Sequence, residues 1–266
     1  MNWKKVLMTM MMACAVSGTM AAETPVQYAW KVTTPLVFTN AAARTLPYRQ
    51  AVDKGDGTKP IPLVLFLHGA GERGTNNGAQ LVHGVGSILQ YAKRKGQPLI
   101  LIAPQCPKDA QWVDTPWAVT EHSLKPQPSV NMALVFELLD AKFAEFPEID
   151  RDRVYVTGIS MGGYGTWDVI SRRASDFAAA IPICGGGDPA VAERFAKLPI
   201  WAFHGDADGA VPVKNTRQLV AELWKLNGKI RYREYPGMGH NVWTTTYADD
   251  TVLDWLFSQR RVRNEK

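Results

Sequence analysis

Cysteine is scarce in this chain: three in 266 residues, of which Cys14 lies in a leader-like N-terminus. The remaining two, Cys106 and Cys184, are too few to build a disulfide-stapled fold, so an ordinary hydrophobic core must hold the structure. Charge of one sign is also sparse, because 30 Lys and Arg stand against 25 Asp and Glu for a formal charge of +5. No basic stripe interleaved with aromatics occurs, which argues against a nucleic-acid surface. Arg260, Arg261, Arg263 and Lys266 gather some charge at the C-terminus, where a solvated helix end accounts for them. His, Cys and carboxylates nowhere show metal-ligand spacing, and the Gly-rich stretch after Leu67 lacks the Lys and Ser/Thr spacing of a P-loop, so neither metal nor cofactor is expected. Repeats and low-complexity tracts are missing. Beyond the first two dozen residues no apolar run is long enough to span a bilayer, so no integral membrane segment is expected after the leader is removed.

That leader has three recognisable parts. Lys4 and Lys5 precede an almost unbroken apolar stretch from Val6 to Val16, and Gly18-Thr19-Met20-Ala21-Ala22 supplies small residues for cleavage. Residues 1–22 therefore read as a signal peptide cut near Ala22, with one domain over 23–266 and a secreted or periplasmic destination. Met11-Met12-Ala13-Cys14 offers an imperfect lipobox, which makes attachment through Cys14 the alternative. Cleavage removes two lysines and no acid, leaving a mild +3. In an oxidising compartment Cys106 and Cys184, each just after an apolar strand-like run, are a candidate disulfide pair.

After residue 60 the pattern alternates between strand and helix. Leu63–Leu67, Leu99–Ala103, Arg153–Thr157, Ala178–Ile183, Ile200–Phe203 and Ile230–Tyr235 read as strands, most of them continuously apolar. Ala79–Lys93, Val130–Phe146 (with Ser129 as N-cap), the segment from Gly163, Val213–Leu226 and Asp249–Arg260 read as helices. Continuous apolar strands separated by helices predict an α/β fold, a mostly parallel central sheet with helices on both faces. Before residue 60, Gln27–Phe38 and Leu46–Val52 alternate polar and apolar residues and read as an antiparallel hairpin at the sheet's edge.

The strongest chemical signal is Gly158-Ile159-Ser160-Met161-Gly162, set between the Arg153–Thr157 strand and a helix. A G-x-S-x-G string at a strand–turn–helix junction is a nucleophile elbow, which lifts the serine off the strand end. A serine hydroxyl is a weak nucleophile, so it needs an imidazole to take its proton and a carboxylate to orient that imidazole. Both follow later strands: His204-Gly205-Asp206-Ala207-Asp208 after Phe203, and Pro236-Gly237-Met238-Gly239-His240 after Tyr235. Ligands meet such sheets at the carboxyl ends of the strands. Ser160, Asp208 and His240 are therefore the candidate triad. Asp206, closer to its strand, is the alternative acid and otherwise a partner for loop backbone. His68 and His204, each before a Gly at a strand end, read as loop braces, while His83 and His122 have no constellation around them. Leu67-His68-Gly69-Ala70-Gly71 can turn backbone N–H groups toward a developing oxyanion, with Ala70 (or Gly71) as one donor and Met161 as the other.

These motifs, together with Glu72-Arg73-Gly74, Ala103-Pro104-Gln105-Cys106-Pro107, Cys184-Gly185-Gly186-Gly187-Asp188-Pro189 and His240-Asn241-Val242-Trp243, resemble secreted bacterial esterases of the α/β-hydrolase superfamily. That branch lies near dienelactone hydrolases, the prolyl oligopeptidase catalytic domain and feruloyl or acetyl xylan esterases. The resemblance runs from about residue 35 to the end. It implies an α/β-hydrolase fold and a serine hydrolase acting on short-chain or cell-wall (acetyl or feruloyl) carboxylic esters, on a small molecule or joined to a polysaccharide. Two departures narrow it. Dienelactone hydrolases proper use a Cys nucleophile where this chain has Ser160, and too few residues precede the core to form the propeller of a prolyl oligopeptidase. A small peptidase of that type, with Glu72 as an anchor for a peptide N-terminus, is the second reading. A non-catalytic polysaccharide-binding module is the third. Residues 105–129 form a long Pro-punctuated connection, and Trp112, Tyr164 and Trp243 are expected to wall a substrate cleft with Glu72.

Overall fold

The computed structural model describes residues 22–261. The expected signal peptide lies, apart from Ala22, outside the described residues, and Cys14 lies outside them too. The first element is a helix, α1 (Pro25–Val32), where sequence alternation had pointed to strand. Thr24 explains the difference: its hydroxyl accepts the Gln27 N–H while Gln27 caps back onto the Thr24 backbone, and Pro25 occupies the first helical turn. Such a reciprocal capping box outweighs a short alternation of side chains. The hairpin that follows is shorter, β1 (Thr34–Thr39) paired antiparallel with β2 (Thr45–Asp53).

The remaining strands are β3 (Ile61–Leu67), β4 (Leu99–Pro104), β5 (Ile149–Ile159), β6 (Ala179–Ile183), β7 (Ile200–Gly205) and β8 (Ile230–Tyr235). Together with the hairpin they make one eight-stranded sheet in the order β1-β2-β4-β3-β5-β6-β7-β8. The pairs β1–β2 and β2–β4 are antiparallel, and all others are parallel. Helices α3 (Val130–Glu145), α4 (Met161–Arg173) and α5 (Lys214–Lys225) cover one face. Helices α1, α2 (Val85–Lys95), α6 (Trp243–Ala248) and α7 (Asp250–Ser258) cover the other.

The strands divide their side chains between the two cores by the two-residue period of the pleat. Leu63, Leu65 and Leu67 of β3 join the α3–α5 side, while Val64 and Phe66 join the α2–α7 side. Both faces being covered is why the central strands read as unbroken apolar runs. The helix expected from Ala79 is interrupted: a 3-10 turn at Ala79–Leu81 stops before Gly84, and α2 starts at Val85. Gly84 has φ +74°, and a side chain there would come within 2.6 Å of the Phe66 ring, so the break has both a backbone and a packing cause. Ser129 caps α3 as expected, its hydroxyl accepting the Met132 N–H.

The two cysteines are free and buried. Cys106 follows β4 and Cys184 follows β6, and β3 and β5 lie between those strands. Three interstrand spacings of about 4.8 Å separate the cysteines, roughly twice the Cα separation that a disulfide spans. The expected disulfide does not form. Instead the Cys184 thiol lies 3.2 Å from the His240 carbonyl, to which it donates.

Candidate active site

Ser160 sits between β5 and α4 with φ +54° and ψ −119°, a conformation that a side chain rarely adopts. The surroundings impose it. A Cβ on Gly162 would lie 1.9 Å from the Leu67 carbonyl oxygen, and one on Gly158 would lie 2.3 Å from the Gly162 carbonyl oxygen. Only glycine permits α4 to dock this closely on β3 and β5, and the tight turn leaves Ser160 projecting above the sheet.

The three sequence-selected side chains converge there. His240 Nε2 lies 2.8 Å from Ser160 Oγ, and His240 Nδ1 lies 2.6 Å from Asp208 Oδ2. The Asp208 side chain is wholly buried, whereas that of His240 is 25% exposed, so the imidazole faces the cleft and the carboxylate stands behind it. Asp208 also accepts the backbone N–H groups of Ala210 at 2.8 Å and Val211 at 2.9 Å. Burial opposes its ionisation, but the hydrogen bonds from His204, His240, Val211 and Ala210 outweigh burial and hold the carboxyl far below its usual range. Asp206 does what the alternative reading allowed, since its exposed carboxylate accepts the Gly237 N–H at 2.6 Å.

The Gly69–Gly71 loop lies against Ser160. Gly69 approaches Ser160 so closely that a Cβ there would be 3.5 Å from the serine Cβ. Ala70 opens the 3-10 turn Ala70–Glu72 and Met161 opens α4, so both N–H groups stand at helical N-termini without intrahelical partners. His68 braces the loop from below, as expected. Its Nδ1 donates to the Gly69 carbonyl at 2.6 Å, while its Nε2 accepts the Cys106 N–H at 2.9 Å. Burial, with a smaller contribution from Arg73, pushes His68 down to about 4, in keeping with a neutral ring. Arg73, which sequence reasoning passed over, ties the same turn to the long loop by donating to Ala70 O at 2.9 Å and Ala110 O at 3.3 Å.

The four expected substrate residues separate into two pairs. Glu72 lies in the neighbourhood of Ser160: its Oε2 would touch a Gly69 Cβ at 2.9 Å, a point that lies 3.5 Å from Ser160 Cβ. Burial raises the Glu72 carboxyl, and His83 at 3.8 Å partly offsets this. Trp243 packs edge-to-face on His240 with ring centres 5.1 Å apart. Trp112 and Tyr164 are corrections to the expectation. Trp112 is completely buried, donating its indole N–H to the His68 carbonyl at 3.0 Å. Tyr164 is also buried, with its hydroxyl donating to Trp117 O at 2.8 Å and accepting from Asn215 Nδ2 at 2.7 Å. Both pin the 105–129 loop to the core, and Tyr164 lines a separate pocket with His122, Leu124 and Asp188 that does not include Ser160 or His240. Gln111 and Asp114–Ala118 of that loop line an open recess of about 440 Å³. His83 was set aside in the sequence, yet its ring lies 5.6 Å from that of Trp243, beside the site. No spacing rule brings it there; the kink at Gly84 does.

Residues 123–251 match the dienelactone hydrolase family. A thermostable esterase of known structure superposes with a TM-score of 0.80 and 37% identity, over 88% of this chain and 64% of its own. A protein of Arthroderma benhamiae named only as secreted is 24% identical over 216 residues, 70% of this chain and 22% of the relative. A bifunctional acetylxylan esterase/xylanase of Neocallimastix patriciarum is 27% identical over 152 residues, 55% of this chain and 19% of the relative. The chain therefore spans about a fifth of the length of these two curated relatives. Among the described residues no helix is long and apolar enough to cross a membrane.

Proposed function

We propose that this chain, which belongs to the α/β-hydrolase superfamily and to its esterase branch, is a serine hydrolase that cleaves carboxylic esters through an acyl-enzyme. One observation carries the reading: an unbroken relay of 2.8 Å from Ser160 Oγ to His240 Nε2 and 2.6 Å from His240 Nδ1 to Asp208 Oδ2, on a strained elbow. Asp208 fixes the tautomer with the proton on Nδ1, which leaves the Nε2 lone pair facing the serine. His240 takes the Ser160 proton as Oγ attacks the ester carbonyl. The Ala70 and Met161 N–H groups then stabilise the tetrahedral oxyanion. His240 passes the proton to the leaving alcohol, and a water molecule repeats the sequence on the acyl-enzyme.

Short-chain or cell-wall esters, acetyl or feruloyl, are the proposed substrates, supported by the acetylxylan esterase named among the relatives. Export through the residue 1–22 leader is proposed with them, supported by a relative named as secreted. A peptidase reading keeps one specific observation, the Glu72 carboxyl beside Ser160, which is suited to anchoring a substrate amine. The test is hydrolysis by the mature protein and its Ser160→Ala variant of p-nitrophenyl acetate, butyrate and octanoate, methyl ferulate, acetylated xylan and an alanine p-nitroanilide. Ser160-dependent cleavage of acetyl or feruloyl esters without anilide turnover is expected. Anilide cleavage without ester preference would transfer the assignment to a peptidase. Silence on the whole panel would leave a binding module.

A further inference from the structure

The triad carboxylate receives two imidazoles. His204, the fully buried residue near the end of β7, places Nε2 3.1 Å from Asp208 Oδ2, the same oxygen that meets His240. That Nε2 also lies 3.1 Å from the Val211 carbonyl oxygen. Both neighbours can only accept, so Nε2 must carry a proton. On the other side of the ring, Nδ1 lies 2.7 Å from Thr216 Oγ1. Thr216 has one hydroxyl proton, and it is committed to the Gly185 carbonyl at 2.8 Å. With the proton placed there, Thr216 Oγ1 offers Nδ1 only a lone pair, and Nδ1 donates as well. A neutral His204 would either set two lone pairs against each other at Nδ1 or strip the Gly185 carbonyl of its donor.

We infer that His204 is a buried imidazolium, a positioning group that holds Asp208 ionised and aimed and sets the lower pH limit of His240 as a base. The reading rests on the proposed roles of Ser160, Asp208 and His240 for its kinetic consequence, but not for the protonation state itself. The surroundings are suited to one such charge. Asp208 is its direct counter-ion, and the two together are neutral. Just after β6, the Cys184 thiol lies within 4.8 Å of both groups, and burial raises it, so it adds no charge there. Glu234 on β8 is held by Arg217 of α5 and by the Tyr232 hydroxyl. Tyr164 on α4, also raised by burial, stays neutral. His240 shares the Asp208 carboxylate with His204.

The consequence concerns catalysis. A lone carboxylate behind His240 favours its protonated, inactive form, whereas a carboxylate already matched by His204 favours it less. Removing the second imidazolium is expected to move the acid limb of the reactivity profile upward by roughly two pH units, from two unit charges about 5 Å apart at an effective dielectric near 20. Two measurements test this on the full mature chain. The first is the ring ¹⁵N–¹H spectrum of the unmodified protein, with His204 assigned through its own Cβ correlations. Both ring N–H groups are expected at pH 7, and a single ring N–H on His204 overturns the inference. The second is the rate of Ser160 labelling by a fluorophosphonate against pH, in the parent, His204→Gln and Thr216→Val. Both variants should shift the acid limb the same way, although Thr216→Val keeps the histidine. A folded Thr216→Val with the parental profile overturns the inference, and it decides the matter even if His204→Gln fails to fold. Absence of labelling at every pH would sink the triad reading, while the ring spectrum would still report the state of His204.

Discussion

Asn in place of Asp208 is the substitution whose outcome follows most directly from the geometry. Oδ1 accepts Ala210 N–H at 2.8 Å and Val211 N–H at 2.9 Å, and Oδ2 meets His240 Nδ1 at 2.6 Å. Asn offers one accepting oxygen. If that oxygen stays on the two backbone donors, the new NH₂ points at His240 Nδ1, which then has to accept, and His204 Nε2–H loses its carboxylate partner on the same side. The imidazole proton moves to Nε2, where it faces Ser160, and the ring can no longer act as a base. Loss of this relay is expected to reduce kcat by about 10⁴-fold, which corresponds to about 5.5 kcal/mol of transition-state stabilisation. Asp206→Asn is the matched control. Its side chain meets only the exposed Gly237 N–H at 2.6 Å, and Asn retains an acceptor for it, so activity should remain within a few-fold. Initial rates on p-nitrophenyl acetate, with circular dichroism to establish folding, measure both. A folded Asp208→Asn variant within tenfold of the parent, or an Asp206→Asn variant that falls further, would refute the reasoning.

His68, held neutral and shifted from 6.5 to about 4, binds its proton more weakly folded than unfolded, so its contribution to stability is complete above pH 6.5 and is lost as the pH falls toward 4. The loss amounts to about 3 kcal/mol, and urea unfolding at pH 7 and pH 4 should show this increment in the parent and not in His68→Gln. Glu72 has the opposite sign: its raised carboxyl penalises the folded state at neutral pH, so Glu72→Gln should raise Tm at pH 7 and lose that advantage as the pH falls toward 4.5. Trp112→Phe removes the bond to the His68 carbonyl and some buried volume, and should cost about 1–3 kcal/mol of stability with KM unchanged. A raised KM at full stability would return Trp112 to the substrate. Burial pushes the Cys106 thiol up to about 12 and raises Cys184, so both should resist iodoacetamide in the native protein and react once it is unfolded, as counted by mass spectrometry.

Sequence reasoning reached the elements that obey a period or end at a turn. The six later strands, the Ser129-capped helix and the order Ser160, Asp208, His240 were legible because apolar runs and strand-end loops are local signals. The N-terminal helix was missed because its signal is a cap, Thr24 to Gln27, and not a periodicity. Trp112 and Tyr164 were misplaced because a sequence shows an aromatic side chain near a motif and not which way it turns. Both turn inward to hold the long loop. The Cys106–Cys184 pairing failed for a topological reason, since two strands come between the cysteines and strand order is not written in any local pattern. His83 and Arg73 reach the site only through the tertiary path of their loops.

The dependence of the elbow on distant strands also bears on when this chain becomes reactive. Strand β3 pairs with β5 across some ninety residues, Leu67 aligning with Gly158. The close approach of Gly162 to the Leu67 carbonyl exists only after that pairing. Long-range parallel pairing is a slow step in chain assembly. Until it is complete, Ser160 is a relaxed serine with no imidazole beside it and no reason to attack anything. On the proposed mechanism, nucleophilicity arises only after that pairing, and a covalent serine probe added during refolding would serve as a clock for closure of the central sheet.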